Sequence, residues 1–159
     1  MNIFTDGSSL NNQCAEKRVG GMGAYFGDND KRNVSEPLLK NATNQRAELK
    51  ACILALKKCK DNLDNEINIY TDSKYVIGCM TEWIGNWIKN DWKKSDGKEI
   101  KNLKLIKKLH LLIKKRKANV NFYHVRAHKK QPLDPEKYKL WYGNMMADKL
   151  ATDAAKSIN

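Results

Sequence analysis

The stretch Asn2-Ile3-Phe4-Thr5-Asp6-Gly7-Ser8-Ser9 decides the fold, because it predicts a strand that ends on a carboxylate. The three residues before Asp6 favour a β-strand. Gly7 and the two serines that follow it are turn residues, so we expect the strand to end at Asp6. Ligands bind at the carboxyl ends of strands in open α/β sheets. The sequence therefore places Asp6 in a candidate site.

A second strand has the same kind of ending. The alternating run that begins at Ile67 is closed by Thr71, Asp72 and Ser73. If the two strands are neighbours, Asp6 and Asp72 lie a few ångströms apart. Two carboxylates at that separation either share a proton or bind cations.

Two further acids lie on predicted helix faces that are otherwise apolar. Glu48 shares a face with Cys52 and Ala55 in a helix predicted over 44–60, and Asp148 lies in a helix predicted over 145–156. An unpaired carboxylate on such a face is costly. Four converging carboxylates without cysteine or histidine ligands favour Mg²⁺ or Mn²⁺. Taken singly, each acid is explained as well by an ordinary turn or helix position.

The remaining pattern predicts a mixed α/β sheet with helices on its faces, in one domain over 1–159. The glycines of 20–27 suit a strand with bulges or close packing. Pro37 suits an edge strand or a bulge. The other predicted elements are a strand over 32–40, helices over 73–80, 81–89 and 102–115, a strand over 120–125 and a loop over 129–142.

Composition limits the class of protein. The 159 residues are 41% hydrophobic and 30% charged, as in a globular domain, and no apolar run reaches the roughly 18 residues of a membrane helix. A strand that starts at Met1 leaves no room for a signal or transit peptide, so we expect an intracellular protein of the cytoplasm or nucleus that binds no membrane. The four cysteines form no Cys-x-x-Cys pair, which favours buried, reduced thiols over a zinc site.

The net charge of +12 is concentrated in one segment. Residues 83–117 carry 12 basic side chains against three acidic ones, which leaves nine of the twelve net charges there. A localised basic patch of this size indicates a polyanion partner, most often nucleic acid. A solvated lysine-rich face from a lysine- and asparagine-biased genome accounts for part of the same charge.

Four stretches together resemble the type 1 ribonuclease H family along nearly the whole chain. They are Ile3–Ser8, Thr43–Leu49, Tyr70–Val76 and Asn144–Ala151, and the segment 83–102 resembles the basic protrusion of that family. The resemblance implies a ribonuclease H-like fold, with a five-stranded mixed sheet flanked by helices. It also implies an Mg²⁺-dependent endoribonuclease that hydrolyses the RNA strand of RNA–DNA hybrids, leaving 5′-phosphate and 3′-hydroxyl ends. Removal of RNA primers in DNA replication is an expected use, and a monomer is the expected state.

The resemblance also assigns catalytic roles to particular residues. Asp6 would bridge two Mg²⁺ ions, for which Mn²⁺ can substitute. Glu48 and Asp72 would hold one ion with it, and Asp148 would help to hold the other, which carries the attacking water. His128 resembles the histidine that moves protons or assists product release in this family, which suits a side chain that titrates near neutrality.

Substrate contacts follow from the same resemblance. The 2′-hydroxyl distinguishes RNA from DNA, and amide side chains can both donate to it and accept from it. Lysines of the protrusion would add salt-dependent affinity. The implied contacts are Asn12, Asn44 and Gln45 in the minor groove, Thr43 and Asn102 at a DNA phosphate, Trp87 and Ser95 beside the DNA strand, and Lys93, Lys94 and Lys98 on the protrusion.

Two other functions fit the same sequence less well. A non-catalytic nucleic-acid-binding module of this fold would tend to have lost carboxylates, and all four are present. A nuclease of the same fold that acts on DNA junctions would keep the carboxylates, but it would not need Asn44, Gln45 or the protrusion.

Overall fold

The computed structural model describes residues 1–10, 18–59, 66–126 and 130–157. Strands and helices alternate after an initial group of three strands. In chain order they are β1 (Asn2–Leu10), β2 (Val19–Tyr25), β3 (Val34–Leu38), α1 (Asn44–Lys58), β4 (Glu66–Thr71), α2 (Lys74–Ile77), a π-helical segment (Gly78–Trp83), α3 (Ile84–Lys89), α4 (Leu103–Lys114), β5 (Asn119–His124) and α5 (Pro135–Lys156).

The strands form one sheet in the order β3-β2-β1-β4-β5. β1 pairs antiparallel with β2 and parallel with β4, while β2 pairs antiparallel with β3 and β4 pairs parallel with β5. The prediction of a five-stranded mixed sheet flanked by helices is therefore confirmed. β3, which contains Pro37, is an edge strand.

The first strand is longer than predicted, so the expected break after Asp6 is wrong. β1 continues to Leu10 because β2 supplies an antiparallel partner along this whole stretch, from Phe4 opposite Tyr25 to Leu10 opposite Val19. Gly7 serves packing rather than a turn, since a Cβ there would collide with the backbone of Ala47 in α1. Pairing of β1 with β4 nevertheless stops at Phe4. Asp6 thus still lies near the carboxyl end of β4.

One face of the sheet is covered by α1 and α4. Ile3, Leu49, Ile69 and Ile106 are fully buried in the core between these layers. Burying a side chain of this size contributes roughly 1.5–3 kcal/mol relative to leaving it exposed. Cys52, Cys59 and Cys79 are buried, as expected, and Cys14 lies outside the described residues.

The opposite face of the sheet is covered by α5. A Cβ on Gly21 would collide with the carbonyl oxygen of Ala151, and one on Gly23 with that of Ala147. The glycines of β2 therefore let the helix backbone approach the strand, which confirms the predicted close packing. No helix in the described ranges combines the length and the apolarity needed to cross a membrane.

The last helix begins ten residues earlier than predicted, so the expected loop over 129–142 is wrong from Pro135 onward. The carboxylate of Asp134 accepts a hydrogen bond from the backbone N–H of Lys137 at 3.1 Å and caps the helix. Proline is favoured in the first helical turn, because its missing N–H has no partner there. Asp134-Pro135 is thus a helix start, although the proline suggested a loop.

Candidate active site

Three carboxylates from distant parts of the chain lie together near the carboxyl end of β4. Asp6 comes from β1, Glu48 from α1 and Asp72 from the residue after β4. Each offers one oxygen, and these oxygens all lie within 4.8 Å of one another. Asp6 is 5% exposed and Glu48 is 7% exposed, so two of the three acids are buried.

The local fold holds Glu48 in this position. The Thr43 hydroxyl accepts a hydrogen bond from the Arg46 N–H at 3.2 Å and starts α1 one turn before Glu48. The Gly7 N–H donates to one oxygen of Glu48, and the Thr71 hydroxyl donates to the other at 3.3 Å. The glycine in β1 therefore serves the site as well as the packing of α1.

Burial, together with the charge of a neighbouring carboxylate, makes each of the three clustered acids harder to ionise. Burial raises the pKa of Asp6, and the hydrogen bond with Glu48 and the negative charge of Glu48 raise it further. Burial also raises the pKa of Glu48, with a contribution from the charge of Asp72. The pKa of Asp72 is raised by burial and then by the charge of Asp148. Without a cation, the cluster therefore holds protons that isolated carboxylates would release.

Asp148 lies beside the other three acids on an exposed part of α5. Its carboxyl group is near enough to raise the pKa of Asp6 through a hydrogen bond and that of Asp72 through its charge. The four acids singled out in the sequence thus lie in one region, with three in a tight group and the fourth at the rim.

The donor set fits hard divalent cations. Each of the three clustered residues offers a carboxylate oxygen, and no cysteine or histidine of the described residues joins the group. Oxygen-rich sites of this kind suit Mg²⁺ and Mn²⁺ rather than zinc. A dication would also remove the repulsion that raises the carboxylate pKa values. The arrangement can therefore hold a divalent metal.

Three of the residues expected to contact substrate lie at or just before the starts of α1 and α4. Asn44 is exposed at the first position of the helix. The buried Oε1 of Gln45 finds no hydrogen-bond partner among the described residues. Asn102 precedes α4, where its side-chain amide donates to the Tyr75 hydroxyl at 3.1 Å. Asn12 and His128, which were also singled out, lie outside the described residues.

The basic protrusion forms a cavity at its base. The cavity of about 690 Å³ brings together Trp87, Lys93, Lys94 and Ser95, four of the residues expected to contact nucleic acid. The Lys94 N–H donates to the carbonyl oxygen of Lys98 at 3.0 Å, which closes the loop at the tip. Trp87, Lys93, Lys94 and Ser95 therefore line one concave surface, together with Asp96.

Trp92 packs the protrusion against α4. Its ring packs edge-on against His110 with centroids 5.7 Å apart, and the Lys107 ammonium lies 5.1 Å from the ring centre. Trp83 lies over Gly78, where its ring fills the space that a side chain would need. Trp92 therefore has a packing role, whereas Trp83 packs on Gly78 and also lines the cavity of the protrusion.

Two polar residues near the site were not singled out from the sequence. His124 ends β5, opposite Thr71, and its charge acts on Asp72 to favour the ionised carboxylate. Asn144 lies one turn before Asp148 in α5, and its buried Oδ1 has no hydrogen-bond partner among the described residues. The parallel register of β4 and β5 would have pointed to His124, and the four-residue spacing from Asp148 would have pointed to Asn144.

Comparison with known proteins places the chain among related sequences and folds. Residues 1–156 match the RNase H family. A ribonuclease H of Ruthia magnifica is 36% identical over 99% of this chain and 96% of its own length. A ribonuclease H of Schizosaccharomyces pombe is 40% identical over 96% of the chain, which spans only 52% of that protein. A foamy viral protease-reverse transcriptase solved with double-stranded DNA superimposes with a TM-score of 0.74 and 26% identity, over 98% of this chain and 94% of that one.

Proposed function

The chain belongs to the RNase H family, and from that premise we propose that it is an Mg²⁺-dependent endoribonuclease acting on RNA–DNA hybrids. It hydrolyses the RNA strand and leaves 5′-phosphate and 3′-hydroxyl ends. The observation that carries the proposal is the group of three carboxylates, two of them buried, with oxygens of Asp6, Glu48 and Asp72 within 4.8 Å of one another. A cluster of this kind is costly to maintain unless cations bind to it.

Each acid has a distinct part in the proposal. Asp6, Glu48 and Asp72 would together hold one dication, and Asp6 and Asp148 would help to hold a second. Dications held there would supply a nucleophilic water at neutral pH and stabilise charge on the leaving oxygen. Gly7 and Thr71 orient Glu48 by donating to its two oxygens.

Recognition of the hybrid is assigned to residues on either side of the carboxylates. Asn44 and Gln45, with Asn12, read the 2′-hydroxyl in the minor groove, and the unpartnered Oε1 of Gln45 supports this role. Thr43 and Asn102 hold a DNA phosphate. Trp87 and Ser95 lie along the DNA strand, where Lys93, Lys94 and Lys98 add charge.

The proposal has two further parts. His128 moves protons or assists product release. The chain acts as a monomer.

The test is cleavage of an end-labelled RNA–DNA hybrid by the intact chain with Mg²⁺, compared with Asp72→Asn. We expect the parent to cut RNA in the hybrid and the variant to lose at least about 100-fold in rate while it still binds. Replacing groups that only support a metal ligand costs roughly 10- to 100-fold, and Asp72 is proposed as a ligand itself. Asp153→Asn is the matched control, since Asp153 is an exposed acid of α5 outside the site.

Two results would overturn the proposal. Cleavage of a DNA duplex as fast as the hybrid would favour the DNA nuclease instead. Hybrid binding without any cleavage by the parent would favour a binding module.

A further inference from the structure

Basic side chains form a stripe along α1 on the side opposite Glu48. Arg46, Lys50 and Lys57 are four and seven residues apart. At 3.6 residues per turn they fall within a sector of about 40°. This sector is centred about 180° from the position of Glu48 on the helix. The stripe is therefore separate from the carboxylate cluster.

A cavity of about 190 Å³ lies against this stripe. Lys50 and Lys57 line it from α1, and Lys108 lines it from α4. Its apolar part includes Ile53, which is 3% exposed. Glu36 is the acid in the lining, so three lysines face one carboxylate.

The described part of the protein neutralises the positive charge at this cavity only in part, because Glu36 is one carboxylate against three lysines. None of Lys50, Lys57 and Lys108 forms an ion pair with a carboxylate of the described residues. The Lys57 and Lys108 ammonium groups are close enough that hydrogen bonding and repulsion from Lys108 lower the pKa of Lys57. The buried Nε of Arg46 also finds no partner in the described ranges. Like charges held together in this way favour an anion between them.

We infer that this second basic groove, formed by Arg46, Lys50, Lys57 and Lys108, binds phosphodiester groups of a nucleic-acid strand beyond the contacts of the active site and protrusion. The identity of the polyanion rests on the proposed function. Arg46 and Lys57 are 11 residues apart, which is about 16 Å along a helix. Phosphates of one strand follow one another about every 3.4 Å along a duplex, so the groove can meet several of them.

The first test compares the salt dependence of hybrid binding for two triple variants. The test variant is Lys50→Gln, Lys57→Gln, Lys108→Gln, and the matched control is Lys31→Gln, Lys117→Gln, Lys156→Gln, which removes the same charge from exposed lysines elsewhere. Binding to a hybrid two helical turns long is measured by fluorescence anisotropy in EDTA, so that no strand is cut. We expect the test variant to keep the fold, because the substitutions remove charges that repel one another.

We expect the groove to neutralise two or three phosphates, and this number sets the size of the difference between the parent and the test variant. Between about 50 and 200 mM salt, the affinity of the parent should fall about 10- to 40-fold more than that of the test variant. The control variant should follow the parent more closely than the test variant does. Equal changes in the two triple variants would overturn the inference, because they would reflect net charge alone.

A second measurement uses the unmodified chain and needs no variant to fold. Lysines are acylated with a small reagent, with and without the hybrid, and the modified positions are read by mass spectrometry. We expect Lys50, Lys57 and Lys108 to be protected several-fold by the hybrid, while Lys31 reacts equally in both samples. Unprotected groove lysines in a bound complex would overturn the inference. That result would leave hybrid cleavage by the parent intact, whereas failure of the proposed function would appear as absent cleavage.

Discussion

At the scale of single residues, the most informative feature is the cost of bringing Asp6, Glu48 and Asp72 together. Their pKa values are raised chiefly by burial and then by neighbouring carboxyl groups. A carboxyl group with a raised pKa in the folded state stabilises the fold below its ordinary pKa and loses that contribution as pH rises. The metal-free protein should therefore become less stable from weakly acidic to alkaline pH.

Asp6→Asn should stabilise the metal-free protein at alkaline pH. At pH 8 in EDTA we expect a gain of at least about 1.4 kcal/mol in the free energy of unfolding, which corresponds to one pKa unit. The gain should vanish near the ordinary aspartate pKa of 3.8, where the parent is protonated as well. Urea denaturation at the two pH values measures it.

Asp153→Asn is the control for this comparison, because it removes an exposed acid of α5. It should change stability by less than about 0.5 kcal/mol at both pH values. A destabilising Asp6→Asn at pH 8 without metal would contradict a pKa of Asp6 that is raised by burial and by the neighbouring carboxyl groups.

At the scale of elements, the structure differs from the local sequence pattern at two residues. Gly7 was predicted to be a turn residue, yet it lies inside β1, where α1 approaches too closely for a side chain. Pro135 was predicted to lie in a loop, yet it is the first residue of α5, directly after the Asp134 cap. The strand and helix types were predictable from periodicity and composition. Their ends depended on contacts with distant parts of the chain, which a local pattern does not contain.

Gly21→Ala should test the close approach of β2 and α5. The added methyl group would collide with the carbonyl oxygen of Ala151, so we expect a loss of about 1–3 kcal/mol in the free energy of unfolding. Gly27→Ala is the matched control, since nothing lies within 4 Å of a Cβ there. Thermal unfolding of both variants measures the difference, and equal melting temperatures would contradict this packing.

Asp134→Ala should test the start of α5. Loss of an N-cap side chain costs about 0.5–2 kcal/mol, so a drop of that size in the free energy of unfolding is expected. The variant should also exchange the backbone amide of Lys137 with solvent faster, because that N–H donates to Asp134. Unchanged exchange at this amide would mean that the cap does not hold the helix end.

At the scale of the whole molecule, charge is separated by sign. Four acids gather at one edge of the sheet, while the net charge of the chain is +12 and is concentrated in 83–117. This separation was predictable, because it depends on sequence counts and on strand order. The second basic groove was not, because it needs the side-by-side packing of α1 and α4 that brings Lys57 and Lys108 together.

The protrusion should account for part of the salt dependence of hybrid binding. We combine Lys93→Gln, Lys94→Gln and Lys98→Gln in one triple variant. The slope of log affinity against log salt should become less steep by up to about 0.9 for each phosphate that this variant no longer neutralises. Lys31→Gln, Lys117→Gln, Lys156→Gln again provides the charge-matched comparison. A slope equal to that of the parent would exclude the protrusion as a docking surface.

The central claim is that acids remote in sequence form one dication site, and calorimetric titration with Mg²⁺ tests it most directly. The parent and Asp153→Asn should both bind Mg²⁺ saturably at pH 8. Glu48→Gln should lose that binding, because it removes a buried charge from a cluster whose oxygens lie within 4.8 Å of one another. The same Mg²⁺ binding by all three proteins would contradict the account.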